Sequence, residues 1–169
     1  EEGAPLNAPG EIQVRGMNVC QGYYKNPEAN AQLFTSDGWM HTGDLGTLDR
    51  HNNLFIRGRS KTMILSSNGQ NIYPEEIEEK INSFSLVAES LVVRRADRLV
   101  ALIVPDPEVA QREGLSPEAT WQRIEEFRAQ LNNQVATYEK VTRFVLQEGP
   151  FVKTPKRSIK RFLYEEKTN

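Results

Sequence analysis

The sequence predicts an α+β fold, a small mixed or antiparallel sheet with helices packed against it. Three observations predict it. Short runs of alternating polar and apolar residues, the period of a half-buried strand, recur along the chain. Between them lie stretches whose apolar residues fall three or four apart, the period of one helix face. Three helical stretches also open on a capping residue followed by proline, at Asn26-Pro27, Asp106-Pro107 and Ser116-Pro117, the chemistry of a helix N-terminus.

In order, residues 11–15 read as a strand, and Gly16 and Gly22 bracket the segment after it. The helix capped by Asn26 is expected to end near Phe34, before the turn Ser36-Asp37-Gly38. Residues 45–48 and 54–57 read as a hairpin joined by Asp49-Arg50-His51-Asn52-Asn53, residue types that tolerate turn conformations. We place a domain boundary after Gly58, giving segments 1–58 and 59–169. Residues 63–65 form a short strand, and the polar loop 66–71 leads to a helix starting at Pro74, with Ile77, Ile81 and Phe84 on one face. A second hairpin is expected from residues 90–93 and 99–104, with a five-residue connection. The helix after Asp106 stops at Gly114. The one after Ser116 is longer, with Trp121, Ile124, Phe127 or Arg128, Leu131 and Val135 on its inner face. Residues 142–146 read as a last strand whose Phe144 and Leu146 point inward, and Ile159, Phe162 and Leu163 lie in a basic tail.

Composition narrows the function. With 38% hydrophobic and 26% charged residues the chain has the balance of a folded soluble protein. A net charge of −2 gives no general pull toward nucleic acid or anionic membrane. The single cysteine, Cys20, cannot form an internal disulfide, which suits the reducing cytoplasm, the expected location. No signal peptide opens the chain and no initiator methionine stands at position 1, as expected of an excised piece.

Several residues could carry chemistry. The carboxylate of Asp44, in His41-Thr42-Gly43-Asp44, could accept two hydrogen bonds from a ribose diol, and Gly43 would let backbone approach closely. The same aspartate could simply bond its own turn. Arg59 offers planar, always-charged donors suited to ribose or phosphate oxygens, or it ends a solvated strand. Gly69 is expected to supply a positive φ in the loop before the helix. The run Glu75-Glu76-Ile77-Glu78-Glu79 reads as the acidic first turns of that helix and not as a metal site. Trp121 reads as core, Trp39 as packing beneath the nearby turn, and His41 and His51 as structural.

Two runs together, His41-Thr42-Gly43-Asp44-Leu45-Gly46 and Gly58-Arg59-Ser60-Lys61 through Gly69 to Glu78, resemble the last third of the adenylate-forming enzymes. Tyr23-Tyr24-Lys25-Asn26-Pro27 and Gly38-Trp39-Met40 look most like acyl-CoA synthetases, and Lys160-Arg161-Phe162-Leu163-Tyr164 most like their long-chain fatty-acyl branch. The resemblance implies a C-terminal lid domain preceded by a β-rich remnant of a large N-terminal domain. It implies an acid–thiol ligase that joins a fatty acid to ATP as acyl-AMP and passes the acyl group to coenzyme A. ATP with its Mg2+, coenzyme A and the missing N-terminal domain are the partners so implied, and the isolated chain is expected to be inactive. The resemblance gives Asp44, with Thr42 and Gly43, and Arg59 to the nucleotide, Lys61 to the hinge, and Asn68 and Gly69 to the tunnel for the coenzyme A thiol. It assigns no metal ligand. Peripheral membrane contact belongs, if anywhere, to the full-length protein, and nucleic acid is not expected as a partner.

The tail departs from the family pattern. There, Lys-Thr-Pro is followed by two variable residues, the second often glycine, and then the catalytic lysine. Counting from Lys153-Thr154-Pro155, that lysine position holds Ser158. Lys156 and Lys160 are the candidate substitutes, because in an extended segment residues two apart point to the same side. The rival readings are a related enzyme that loads a carrier protein, and a non-catalytic module whose basic tail binds phosphate polymers.

Overall fold

The structure, a computed structural model, describes residues 3–165. The chain forms two compact units that part between Met63 and Ile64. Residues beyond Gly58 still belong to the first unit because their amides bond back into it. Ser60 N–H donates to Gly43 O at 2.9 Å, and the Thr62 and Met63 amides both donate to Arg59 O at 3.1 Å.

The first unit is a three-stranded antiparallel sheet in the order β1-β2-β3, from β1 (Gly10–Val14), β2 (Met40–Leu48) and β3 (Leu54–Arg59). One short helix, α1 (Pro27–Ala31), precedes β2, and the Asn26 side chain accepts from Ala29 N–H at its start. It stops at Ala31, short of the expected Phe34, where the Leu33 amide bonds back only three residues, to Asn30 O at 3.2 Å. The β2–β3 connection is organised by Asp49, whose carboxylate takes the Asn53 side-chain and backbone donors and the His51 amide. Those bonds, the Asn53 side chain first, hold the carboxyl below its ordinary value. Gly46 lies where the strands approach most closely. A Cβ there would stand 2.9 Å from the Phe55 carbonyl oxygen. Trp39 is half-buried, with the Arg15 guanidinium over its ring 4.6 Å from the centre.

The second unit is a mixed three-stranded sheet buried on both faces. Strands β6 (Val87–Arg95) and β7 (Arg98–Pro105) are antiparallel, and β8 (Val141–Leu146) lies parallel to β7. One face carries Val87, Val92, Leu99, Ala101, Ile103, Val141 and Phe144 against α2 (Pro74–Asn82) and α4 (Pro117–Asn133), through Ile77, Ile81, Ile124 and Leu131. On α4 the choice between Phe127 and Arg128 falls to Phe127, which stacks on Phe84 at 4.4 Å. Arg128 bonds Glu125 and the Thr142 carbonyl instead. The opposite face carries Leu91, Val93, Val100 and Leu102, and the tail covers it with Phe151, Ile159 and Tyr164. This double burial is why β6 and β7 read as nearly unbroken apolar runs.

The expected five-residue connection is a two-residue turn at Ala96-Asp97, both with positive φ (45° and 59°), so the strands run longer than expected. Strand β8 does not alternate as expected: Val141 and Phe144 are buried and Leu146 is exposed. A register shift beside Leu99 puts residues three apart on one face. A further antiparallel pair, β4 (Ile64–Leu65) and β5 (Asn71–Ile72), closes the loop between them. The short helix α3 (Pro107–Arg112) is capped by Asp106 and ends before Gly114, whose φ is 66°.

Candidate functional site: a bulged turn, a loop-lined cleft and a tail hairpin

In the first unit the Thr42-Gly43-Asp44 turn is a bulge in β2. Along β1 only Ile12 separates Glu11 from Gln13, yet their partners on β2 are Leu45 and His41. Three residues, 42–44, thus stand against one on β1 and drop out of the β1 pairing, while Asp44 keeps its place opposite Arg59 on β3, and the polar groups so freed need other partners. Thr42 Oγ1 donates to Ile12 O at 2.7 Å and accepts from Asp44 N–H at 3.0 Å. Gly43 takes φ 72°, a conformation that disfavours any side chain. Glu11 reaches over from β1. Its Oε1 accepts from Gly43 N–H at 3.0 Å while Oε2 lies 2.7 Å from His41 Nδ1.

The bulge presents Asp44 opposite Arg59 on β3. Arg59 Nη1 donates to Asp44 Oδ1 at 2.5 Å, and the Asp44 side chain stays 35% exposed, leaving Oδ2 to accept another donor. The two side chains meet through strand register inside one unit, and no pivot is needed to bring them together. Lys61 follows in an exposed turn tied to the Arg59 carbonyl.

In the second unit the loop before α2 is closed by Ser66 and Gln70, which exchange backbone and side-chain bonds of 2.8–2.9 Å. Gly69 has φ 79°, and Asn68 accepts from Ser66 Oγ. Ser66, Ser67 and Asn68 line a cleft of about 350 Å³ whose far walls include Arg98, Tyr138 and Lys140. Arg98 and Lys140 form no ion pair among the described residues.

The tail folds back on itself as a hairpin, with Lys153, Lys156 and Arg157 exposed. Lys153 bridges Ile159, Lys160 N–H donates to Val152 O, and Thr154 N–H donates to Ser158 O at 2.8 Å. Residues 155–157 thus form a three-residue hairpin loop, closed by Arg157 N–H to Thr154 O at 2.8 Å. Such loops end in a left-handed residue, and here it is Arg157, with φ 63°. Lys156 therefore occupies the loop tip, away from the Lys153–Ile159 bridge that Ser158 adjoins. Lys160 lies two residues beyond Ser158, where it opens the short 3-10 turn Arg161–Leu163 with φ −77° and ψ 78°. Ser158 and Lys156 are exposed, and Lys160 is half-buried. Arg161 fixes the hairpin base, with Nη2 2.5 Å from Glu78 Oε2 and 3.5 Å from Glu75 Oε1. Glu78 also accepts from Val92 N–H at 2.6 Å, so it is a buried counter-charge and not part of a solvated acidic turn. Burial holds its carboxyl above the ordinary value, against the opposing pull of Arg161.

Residues 61–168 match the family described as AMP-binding enzyme C-terminal domain. The chain belongs to this family. A long-chain-fatty-acid–CoA ligase, FadD15 of Mycobacterium tuberculosis, is 41% identical over 100 residues, 59% of this chain and 16% of that protein. The chloroplastic long-chain-fatty-acid–[acyl-carrier-protein] ligase AEE15 of Arabidopsis thaliana is 39% identical over 128 residues, 69% of this chain and 17% of that protein. Among solved structures, the o-succinylbenzoate CoA synthetase MenE of Bacillus subtilis with its acyl-adenylate OSB-AMP has a TM-score of 0.79 at 26% identity. That match covers 98% of this chain and 32% of the synthetase. The chain spans about a sixth of the length of these two curated relatives. They and the synthetase are acid–thiol ligases of the adenylate-forming family; the first two are named for long-chain fatty acids and the synthetase for o-succinylbenzoate.

Against this family frame, the bulge gathers Thr42, Gly43, Asp44 and Arg59, while Asn68 and Gly69 share a second element and Lys156, Ser158 and Lys160 a third. Sequence reading missed three contributors: Glu11, Glu78 and Arg161. The partner of Glu11 stands some thirty positions away, and that of Arg161 more than eighty, so only strand register and packing reveal them.

Proposed function

We propose that this chain supplies the nucleotide-gripping turn and the C-terminal domain of an AMP-forming ligase joining a long-chain fatty acid to coenzyme A. The carrying observation is the Asp44–Arg59 pair on a bulge, with one carboxylate oxygen engaged and the other open. Asp44 Oδ2 accepts from the ribose hydroxyls and Arg59 donates to the same nucleotide. A fatty-acid carboxylate oxygen attacks the α-phosphorus of ATP. The new O–P bond gives acyl-AMP as the bond to pyrophosphate breaks. The chain then turns about Lys61, and the coenzyme A thiol attacks the acyl carbon as AMP leaves.

The Asn68–Gly69 loop lines the thiol's path, and the cleft beside it suits a phosphate-bearing co-substrate through Arg98 and Lys140. With serine at the lysine position, Lys160, two residues on in the same arm of the tail hairpin, is the cation that can meet the charge developing at the α-phosphate. Mg2+ accompanies ATP in this reading. Among the described residues no three His, Cys, Asp or Glu side chains gather to hold a metal. The fatty-acid preference rests on FadD15 and AEE15. The match to AEE15 also favours a second reading, in which a carrier-protein thiol replaces coenzyme A. Supplying each acceptor to the intact enzyme separates the two.

The test is ATP–pyrophosphate exchange by the intact enzyme with Lys160→Ala, Lys156→Ala and Ser158→Lys side by side. Lys160→Ala should lower exchange about 100-fold, the usual loss for one donor to a developing oxyanion. Lys156→Ala should change it little, and Ser158→Lys should raise it. Unchanged exchange in Lys160→Ala would remove that residue from the chemistry. The chain of 169 residues alone is expected to form no acyl-CoA.

A further inference from the structure

We infer that Glu11 is a positioning residue for nucleotide binding, acting through the turn that carries Asp44. The inference rests on the reading of Asp44 as the ribose ligand. A bulge in a strand has amides that its neighbours no longer satisfy, and an unsatisfied turn samples several conformations. The Thr42-Gly43-Asp44 bulge carries surplus residues relative to β1, and one carboxylate clamps it at two points. Glu11 Oε1 holds the Gly43 amide at 3.0 Å, in the Thr42–Gly43 peptide one residue ahead of Asp44, and Oε2 holds His41 Nδ1 at 2.7 Å, at the other end of the bulge.

The remaining contacts leave Glu11 a distinct task. Thr42 Oγ1 ties the bulge to the Ile12 carbonyl and to the Asp44 amide, and the Ser60 amide takes the Gly43 carbonyl. Neither reaches the Gly43 N–H. Gly43 is also the residue with the widest conformational choice, at φ 72° with no heavy atom nearer than 4.0 Å to the place of a Cβ. A bond to its amide therefore restricts the torsions that aim Asp44. Arg59 approaches Asp44 from β3 and fixes one carboxylate oxygen, so Glu11 and Arg59 brace the turn from opposite strands. Glu11 touches no ligand in this scheme. It sets how much of the binding free energy is spent ordering the turn.

The experiment compares Glu11→Ala, Glu11→Gln and Asp44→Ala in the intact enzyme, reading KM for ATP and kcat of pyrophosphate exchange, with a thermal melt of each variant. Glu11→Ala should raise KM for ATP about tenfold, the equivalent of one charge-assisted hydrogen bond, with kcat within about twofold. Glu11→Gln keeps an acceptor for the Gly43 amide and should recover most of that loss, a rescue that a bulk destabilisation would not give. Raised KM in Asp44→Ala beside an unchanged KM in Glu11→Ala overturns the inference alone. Unchanged KM in Asp44→Ala overturns the reading of the site and this inference with it. If Glu11→Ala melts so early that its kinetics cannot be read, Glu11→Gln decides with Glu11→Asp: a wild-type KM in the shorter Glu11→Asp, whose carboxylate cannot span both partners, would overturn the inference.

Discussion

Phe151→Ala separates a tail that is a structural layer from one that is a solvated appendage. Phe151 is 3% exposed and packs on Leu91, Val93, Val100 and Leu102, the sheet face away from the helices. It also meets Tyr164 edge-on at 5.1 Å, and the Tyr164 hydroxyl accepts from Val152 N–H at 2.9 Å. Truncating a buried phenylalanine costs about 3–5 kcal/mol. For a domain of this size each kcal/mol lowers Tm by roughly 4–8 °C. The drop should therefore be about 12 °C or more. Phe162, in the same tail but 67% exposed, is the control, and Phe162→Ala should stay within about 0.5 kcal/mol. The assay is a fluorescence melt with Trp39→Phe as background, so that Trp121 in α4 alone reports on the second unit. Because the chain has two units, one transition cannot be assumed for the whole. Equal shifts in the two variants, both under about 2 °C, would refute the layer.

Two further predictions concern the same unit. Because burial raises the Glu78 carboxyl above 4.5, the folded state holds that proton more tightly than the unfolded chain. Its contribution to stability is then full below 4.5 and is lost as pH rises through the raised value. Glu78→Gln should flatten that fall in urea midpoints measured above 4.5, and an unchanged slope would contradict the assignment. Arg157→Gly should stabilise the tail hairpin by up to about 1 kcal/mol, since glycine adopts the left-handed conformation without a Cβ clash. Slower exchange of the Ser158 and Lys160 amides would show it, and faster exchange would count against it.

What the sequence disclosed was mostly local chemistry. Asn26-Pro27, Asp106-Pro107 and Ser116-Pro117 start helices as expected, because a cap and its first amides lie within three residues. The inner face of α4 was legible from its spacing. The connection at Ala96-Asp97 was not, because a two-residue hairpin turn of this kind needs positive φ at both positions, and alanine at the first gives no sign of it. In β8 the expected alternation failed at Leu146, since a register shift against β7 resets which residues face the core. The tail hid its structure for a related reason. Lysines and arginines suggest solvent, and only the burial of Phe151 and the ion pair between Arg161 and Glu78 show what anchors them. In the candidate site, Asp44 and Arg59 were each picked out by their chemistry, but their meeting across a hairpin and the clamp from Glu11 depend on register.

The central claim is that Asp44 and Arg59 act as one grip on the nucleotide, and a double-mutant cycle measures it directly. Kd for AMP would be determined by calorimetry on the intact enzyme for Asp44→Ala, Arg59→Ala and the double variant. With the side chains 2.5 Å apart, each single change should weaken binding at least about tenfold, and the double should lose clearly less than the sum, as residues in contact do. Binding that survives either single change, or losses that add in full, would contradict the account.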